Sequence, residues 1–150
     1  MTRKKIDSSR FALLICLLLS TFYAIGTVWA TEPYEIVSNP GVSEKTLSKS
    51  SLRAIFGMRL HEWSDGTAIR VYVMPDDSPI HAAFSKEKLN VFPYQLRAAW
   101  DRLVFSGTGQ APDTVSSPEE MLAKVASTPG AIGYLTKSRM DGSVNVLQIK

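Results

Sequence analysis

Apolar and polar residues alternate over Ile69-Arg-Val-Tyr-Val-Met74, which puts Ile69, Val71 and Val73 on one face and predicts a strand. Tyr34-Glu-Ile-Val-Ser38 alternates more weakly and runs into Asn39-Pro-Gly41, a turn cluster, so a short strand ends there. Ala131-Ile-Gly-Tyr-Leu135 and Val144-Asn-Val-Leu-Gln-Ile149 read as closing strands. Between these segments the apolar period changes to three and four. Leu52, Ile55 and Phe56 follow Ser48-Lys-Ser-Ser51, whose hydroxyls can cap a helix, with Gly57 as its end. Asp65-Gly66 marks a turn. Ser78-Pro79 reads as an N-cap and first helical residue, and Ile80, Ala83 and Phe84 form the apolar side of that helix. A further helix starts near Pro93; Leu96, Ala99, Trp100 and Leu103 recur on one face, predicted to be buried, and it stops before Ser106-Gly-Thr-Gly109. Ser117-Pro-Glu-Glu120 opens another, with both carboxylates in the first turn where the helix dipole favours them. Its Met121, Leu122 and Val125 face inward, and Thr128-Pro-Gly130 ends it. Strands alternating with helices predict an α/β domain.

The first thirty residues break the pattern. Arg3, Lys4, Lys5 and Arg10 precede the apolar run from Phe11 to Leu19, which continues less strictly to Val28. Val28-Trp-Ala30 then offers compact residues at the two outer places of a cleavage site. This is the layout of a secretory signal peptide. We therefore expect residues 1–30 to be the signal and 31–150 to be one domain, exported to the periplasm. The rival is an uncleaved anchor: Phe11 to Ala30 is 20 residues, long enough to span a bilayer, although Ser20, Thr21, Gly26 and Thr27 dilute it. Ile15 in front of Cys16 does not suit lipidation.

This segment also accounts for the charge. The 150 residues carry 17 Lys and Arg against 14 Asp and Glu, a formal charge of +3. Four of the basic residues and one acid belong to the signal, so the remainder holds 13 of each and is neutral. Cys16 is the only cysteine, so residues 31–150 have neither a disulfide nor thiolate chemistry available. Non-specific nucleic-acid binding, which needs an excess of Lys and Arg, loses its support.

Within the predicted domain, Ser78 is explained by the cap and could also touch an anion. Asp76 and Asp77 read first as solvated or dipole-facing acids. Ser106-Gly107-Thr108-Gly-Gln110 is glycine-rich and could cradle an oxyanion, but it follows a helix and lacks a P-loop ending, so a plain connection competes with a ligand-facing loop. His61 and His81 are the only histidines, and with no cysteine beside them no metal site is expected. Arg97 and Arg102 fall on the polar side of their helix, where solvation is the default. Trp63 and Trp100 read as core or surface aromatics. No nucleophile elbow is present, and neither a cofactor nor an enzymatic activity is expected.

The order of motifs resembles one known family. Leu52-Arg-Ala-Ile-Phe-Gly57, Trp63-Ser-Asp-Gly-Thr-Ala-Ile69, the strand to Met74 and Gly130-Ala-Ile-Gly-Tyr134 are similar in order and spacing to the phosphate-binding proteins of bacterial phosphate ABC transporters, over about Tyr34 to Ile149. The resemblance implies a type II periplasmic binding protein-like fold, of which this chain holds one lobe: a mixed sheet flanked by helices. It implies a loop at Met74-Pro-Asp-Asp-Ser-Pro-Ile80 in which Asp76 and Ser78 match the family's Asp and Ser. Met74 stands in place of the family's Arg, Pro79 in place of its Gly and Ile80 in place of its Thr, so a guanidinium, an amide hydrogen and a hydroxyl are missing. The expected ligand-binding residues are thus Asp76, Ser78, Ser106, Gly107 and Thr108. The expected partners are a small anion such as phosphate, an ABC permease or another envelope protein, and a second copy of the chain that closes the cleft as a homodimer. The alternative is a periplasmic interaction or accessory protein that has lost small-ligand binding.

Overall fold

The structure, a computed structural model, describes residues 32–150; the predicted signal peptide lies outside the described residues. The chain runs through β1 (Tyr34–Ser38), β2 (Thr46–Leu47), α1 (Lys49–Phe56), β3 (Arg70–Val73), α2 (Pro79–Phe84) with a π-helical continuation (Ser85–Leu89), α3 (Pro93–Phe105), β4 (Asp113–Thr114), α4 (Pro118–Ser127), β5 (Ala131–Thr136) and β6 (Asn145–Ile149). The strands form one sheet in the order β2-β6-β1-β5-β3-β4. β1 is antiparallel to both neighbours, with Ile36 opposite Tyr134 of β5 and Leu147 of β6. β3 is parallel to β5 and to β4, and β2 is parallel to β6. The sheet is therefore mixed. Among the described residues no helix is long and apolar enough to cross a membrane.

Residues 131–135 are all buried, as their unbroken apolar run demands of a central strand covered on both faces. Alternation along β5 divides the two layers. Gly133 faces α4: a Cβ there would lie 2.4 Å from Met121 Sδ and 3.1 Å from Val125 Cγ2. Tyr134, one residue on, faces the opposite layer. It stacks on Phe84 of α2 (centroids 3.8 Å apart, planes 8° apart) and packs at 6.1 Å from Phe56 of α1. Trp100, fully buried, ties α3 into that layer by donating its indole N–H to Phe56 O at 2.8 Å.

Several helix ends follow from local sequence. Ser48 Oγ accepts from Ser51 N at 3.0 Å and Ser117 Oγ from Glu120 N at 3.1 Å, while Glu120 Oε2 accepts from Ser116 N at 2.7 Å. Ser78 does occupy the N-cap of α2, but its hydroxyl makes no capping bond. The end of α1 differs from expectation. Gly57 keeps φ −81°, and Met58 carries the left-handed turn at φ 54°. Glycine is needed for room instead, since a Cβ would sit 2.7 Å from Arg53 O. The apolar period also gave no sign of β2 or β4, which have two residues each, nor of the π-helical continuation, which ends where Asn90 turns left-handed at φ 56°.

Trp63 is buried and donates its indole N–H to Gly130 O at 3.0 Å, so the turn before β3 is fastened to the turn before β5. Gly130 has φ +72°, and an added Cβ would lie 2.1 Å from Ala68 O. Replacing it with alanine combines a left-handed strain with overpacking against backbone, which costs about 1–3 kcal/mol for the packing alone. Gly130→Ala is accordingly expected to lower the midpoint of urea unfolding markedly. Gly142→Ala, in open space, is the control and should leave it nearly unchanged.

Candidate functional site

Because β3 is parallel to β4 and β5, three carboxyl ends open on one edge: Met74 to Ser78 after β3, Val115 to Ser117 after β4, and Thr136 at the end of β5. Ligands of open α/β sheets lie outside such an edge. The β3 loop is built by proline and serine. Ser78 N donates to Pro75 O at 2.9 Å, and Pro79 starts α2 with no amide hydrogen to offer. The Met74 amide is occupied, donating to Tyr134 Oη at 2.8 Å.

One ion pair dominates the loop. Arg97 of α3 donates to both oxygens of Asp76, from Nε at 2.7 Å and Nη2 at 2.9 Å. Its guanidinium also lies over the Trp100 ring, 5.0 Å from the centroid, which fixes its plane. The hydrogen bonds from Arg97 hold the Asp76 carboxyl below the usual carboxylate range, against some desolvation, and Asp76 in return raises Arg97. Beside this pair an open concavity of about 450 Å3 carries Asp76, Tyr94, Arg97 and Asp101, so its acids outnumber its one arginine. Between Met74, Ile80 and Pro118 the carboxyl edge itself closes to an apolar space of about 10 Å3, smaller than an oxyanion needs.

Under the loop lies a buried polar chain. Tyr134 Oη, having accepted from Met74 N, sits 2.7 Å from Nδ1 of His81, whose Nε2 is 3.5 Å from Ser85 Oγ. His81 and Ser85 are fully buried. If the phenol donates to Nδ1, the imidazole is neutral with its proton on Nε2, and both ring nitrogens face a partner. An imidazolium would turn Nδ1 into a second donor and leave the phenolic hydrogen without an acceptor. Burial, partly countered by Asp76 and reinforced by Arg97, pushes the His81 pKa down, and burial pushes that of Tyr134 up.

Of the expected ligand residues, Asp76 and Ser78 share this loop. Ser106, Gly107 and Thr108 do not join them. They follow α3 and lead toward β4, with Thr108 lining one space with Ile69 and Arg70 at the amino end of β3, whereas the loop is at its carboxyl end. Their amides close the end of α3: Ser106 N donates to Arg102 O, Gly107 N to Val104 O and Thr108 N to Leu103 O, with Gly107 at φ +69°. Ser106 Oγ and Thr108 Oγ1 bond each other at 2.7 Å. The structure does not bring the two halves of the expected set together. Arg97 is the residue sequence reasoning passed over, as one more charge on a polar face. His81 and Tyr134 lie far apart in sequence, and no local signal joins them.

Comparison with known proteins agrees with this architecture. Residues 24–143 match the PBP superfamily domain, and the chain belongs to that superfamily. A search of curated proteins finds no match. Among solved structures, the chain is similar to an ABC-type phosphate transport receptor from Vibrio cholerae, at 17% identity and a TM-score of 0.63, over 79% of this chain and 46% of that one. It is also similar to a Clostridium perfringens protein assigned as a phosphate ABC transporter substrate-binding protein and solved with bound phosphate (16%, TM-score 0.64, 79% and 45%). PstS from Borrelia burgdorferi is a third (15%, TM-score 0.60, 79% and 47%). The chain thus spans less than half the length of these structures, as one lobe of a two-lobed fold does.

The buried histidine sets a pH dependence. With its folded pKa below the ordinary value of 6.5, the unfolded chain takes up a proton that the native protein refuses, so stability is lost as pH falls below that value. Asp76 acts lower, its contribution being present above 3.8 and lost as pH falls through its depressed folded value. We expect the thermal midpoint to decline between about pH 7 and pH 5. His81→Gln, which keeps an acceptor but does not titrate, should flatten that decline; an equally steep one would refute the assignment.

Proposed function

We propose that this chain is an exported, non-enzymatic member of the PBP superfamily, related to phosphate ABC transporter substrate-binding proteins. In this reading it works through contact with another envelope protein rather than by capturing free phosphate on its own lobe. The observation that carries the reading is the Asp76–Arg97 pair. The guanidinium best placed for an oxyanion at the carboxyl edge already holds a carboxylate bidentately. Asp77 adds a second carboxylate, and Pro79 has no amide hydrogen. An incoming phosphate would have to displace Asp76 and then sit beside two acids.

A second reading is favoured by one detail. The Ser78 hydroxyl has no hydrogen-bond partner among the described residues, so the loop retains a donor for a site that another surface completes. In that case Asp76, Ser78 and Arg97 form half of an oxyanion site, closed by a second copy of the chain.

Calorimetry and thermal shift with phosphate separate the two. The wild type is expected to show no heat and a midpoint change under about 1 °C at about 10 mM phosphate, because only binding to the native state stabilises it. Asp76→Asn frees Arg97 and should bring a phosphate-dependent rise of about 3 °C. Wild-type binding with phosphate-dependent dimerisation in sedimentation would favour the half-site instead, and tight binding to the monomer would sink both. Amino-terminal sequencing of the exported protein should begin at Thr31.

A further inference from the structure

The face of α3 marked by Leu96, Ala99, Trp100 and Leu103 is only partly used by the fold. Leu96 and Trp100 are buried, whereas Ala99 and Leu103 are half-buried and line a groove of about 450 Å3 between α3, the end of α1 and the π-helical segment. Its floor is apolar, with Leu89, Leu96 and Leu103. Arg53 and Arg59 stand over it from the α1 side and Arg102 from α3. No aspartate or glutamate lines it, and neither ion pair found among the described residues involves these three arginines. A domain with equal numbers of acids and bases has gathered positive charge on one apolar rim.

The arginines are positioned rather than merely nearby. Arg53 Nε donates to Leu89 O at 2.9 Å and Arg102 Nε to Ala98 O at 3.3 Å, which leaves the terminal amino groups of both without a carboxylate. Arg59 reaches the rim because α1 stops at Gly57, where any Cβ would crowd Arg53 O at 2.7 Å. The chain then turns left-handed at Met58, and Arg59 N bonds Ala54 O at 2.8 Å. Asp76 and Ser78 do not line this groove, so it is separate from the loop at the carboxyl edge.

We propose that this groove binds an amphipathic organic anion, its carboxylate or similar head held by the arginine rim and its apolar body laid on the leucine floor. The volume lies within the range of small-molecule sites, about 300–1,000 Å3, and an apolar lining with a few convergent polar groups is their usual composition. Guanidinium forks match a carboxylate head bidentately. Inorganic phosphate would leave the floor uncovered, and an amphipathic cation would meet three like charges.

Calorimetry and amide NMR with decanoate, kept below its micellar concentration, test the proposal. Saturable binding is expected, with shifts centred on Leu89, Ala99 and Leu103, no binding of decylammonium, and no competition from inorganic phosphate. The exposed pair Arg59→Gln/Arg102→Gln should keep the wild-type thermal midpoint and weaken decanoate at least about tenfold. Equal binding of decylammonium, undiminished affinity in the double variant, or a response only to anionic phospholipid vesicles or to an acidic peptide would overturn it.

Discussion

Strand β5 carries no side chain between Ala131 and Leu135 that reaches water, and the fold is arranged around that constraint. A strand buried on both faces needs a helical layer on each, and alternation assigns one residue to each in turn. Gly133 has no side chain, so α4 lies directly on the strand through Met121 and Val125. Tyr134 fills the other side and stacks on Phe84, with Phe56 beside it. The same phenol carries polar work inward: it accepts from the Met74 amide and meets the His81 imidazole. The position of the β3 loop is therefore set from below, by a hydroxyl on the central strand.

That dependence explains the character of the carboxyl edge. Met74 is drawn down toward Tyr134, and the space between Met74, Ile80 and Pro118 closes on apolar surface. The loop's polar residues are left at the rim, where Asp76 pairs with Arg97 while Trp100 lies under the guanidinium. The indole thus serves twice, in the core through Phe56 and at the rim through Arg97. A loop that satisfies its own charges has little electrostatic drive toward a free oxyanion, whereas a preformed, partly exposed pair presents both signs to another protein surface. The arginine-rimmed groove on the far side of α3 has the opposite character, with apolar area and positive charge that the fold leaves uncompensated.

The sequence carried much of the local architecture in plain view. Ser48 and Ser117 cap the helices they precede, proline stands at the first position of α2, α3 and α4, and the apolar run of β5 reads as a strand. These features are legible because each depends on residues within one turn or one strand. The two-residue strands β2 and β4 were not, since two residues hold no period and their pairing comes entirely from β6 and β3. The glycine-rich Ser106-Gly107-Thr108 segment was misleading for a related reason. Glycine beside hydroxyls suits an anion cradle and a helix end equally well, and only the carbonyls of α3 show which donors are engaged.

By itself, then, the sequence determined the class of fold, most of its helix boundaries, the charge balance of residues 31–150 and a resemblance that the superfamily match bears out. Only the tertiary structure decided what the charges do. Asp76 and Arg97 are 21 residues apart, His81 and Tyr134 are 53, and Arg53 and Leu89 are 36. Such pairs meet because helices and loops pack on the sheet and on one another, and packing over those separations leaves no periodic trace along the chain. Local hydrogen bonds and burial patterns are written in neighbouring residues; whether an arginine is free or claimed depends on which surface the fold brings against it.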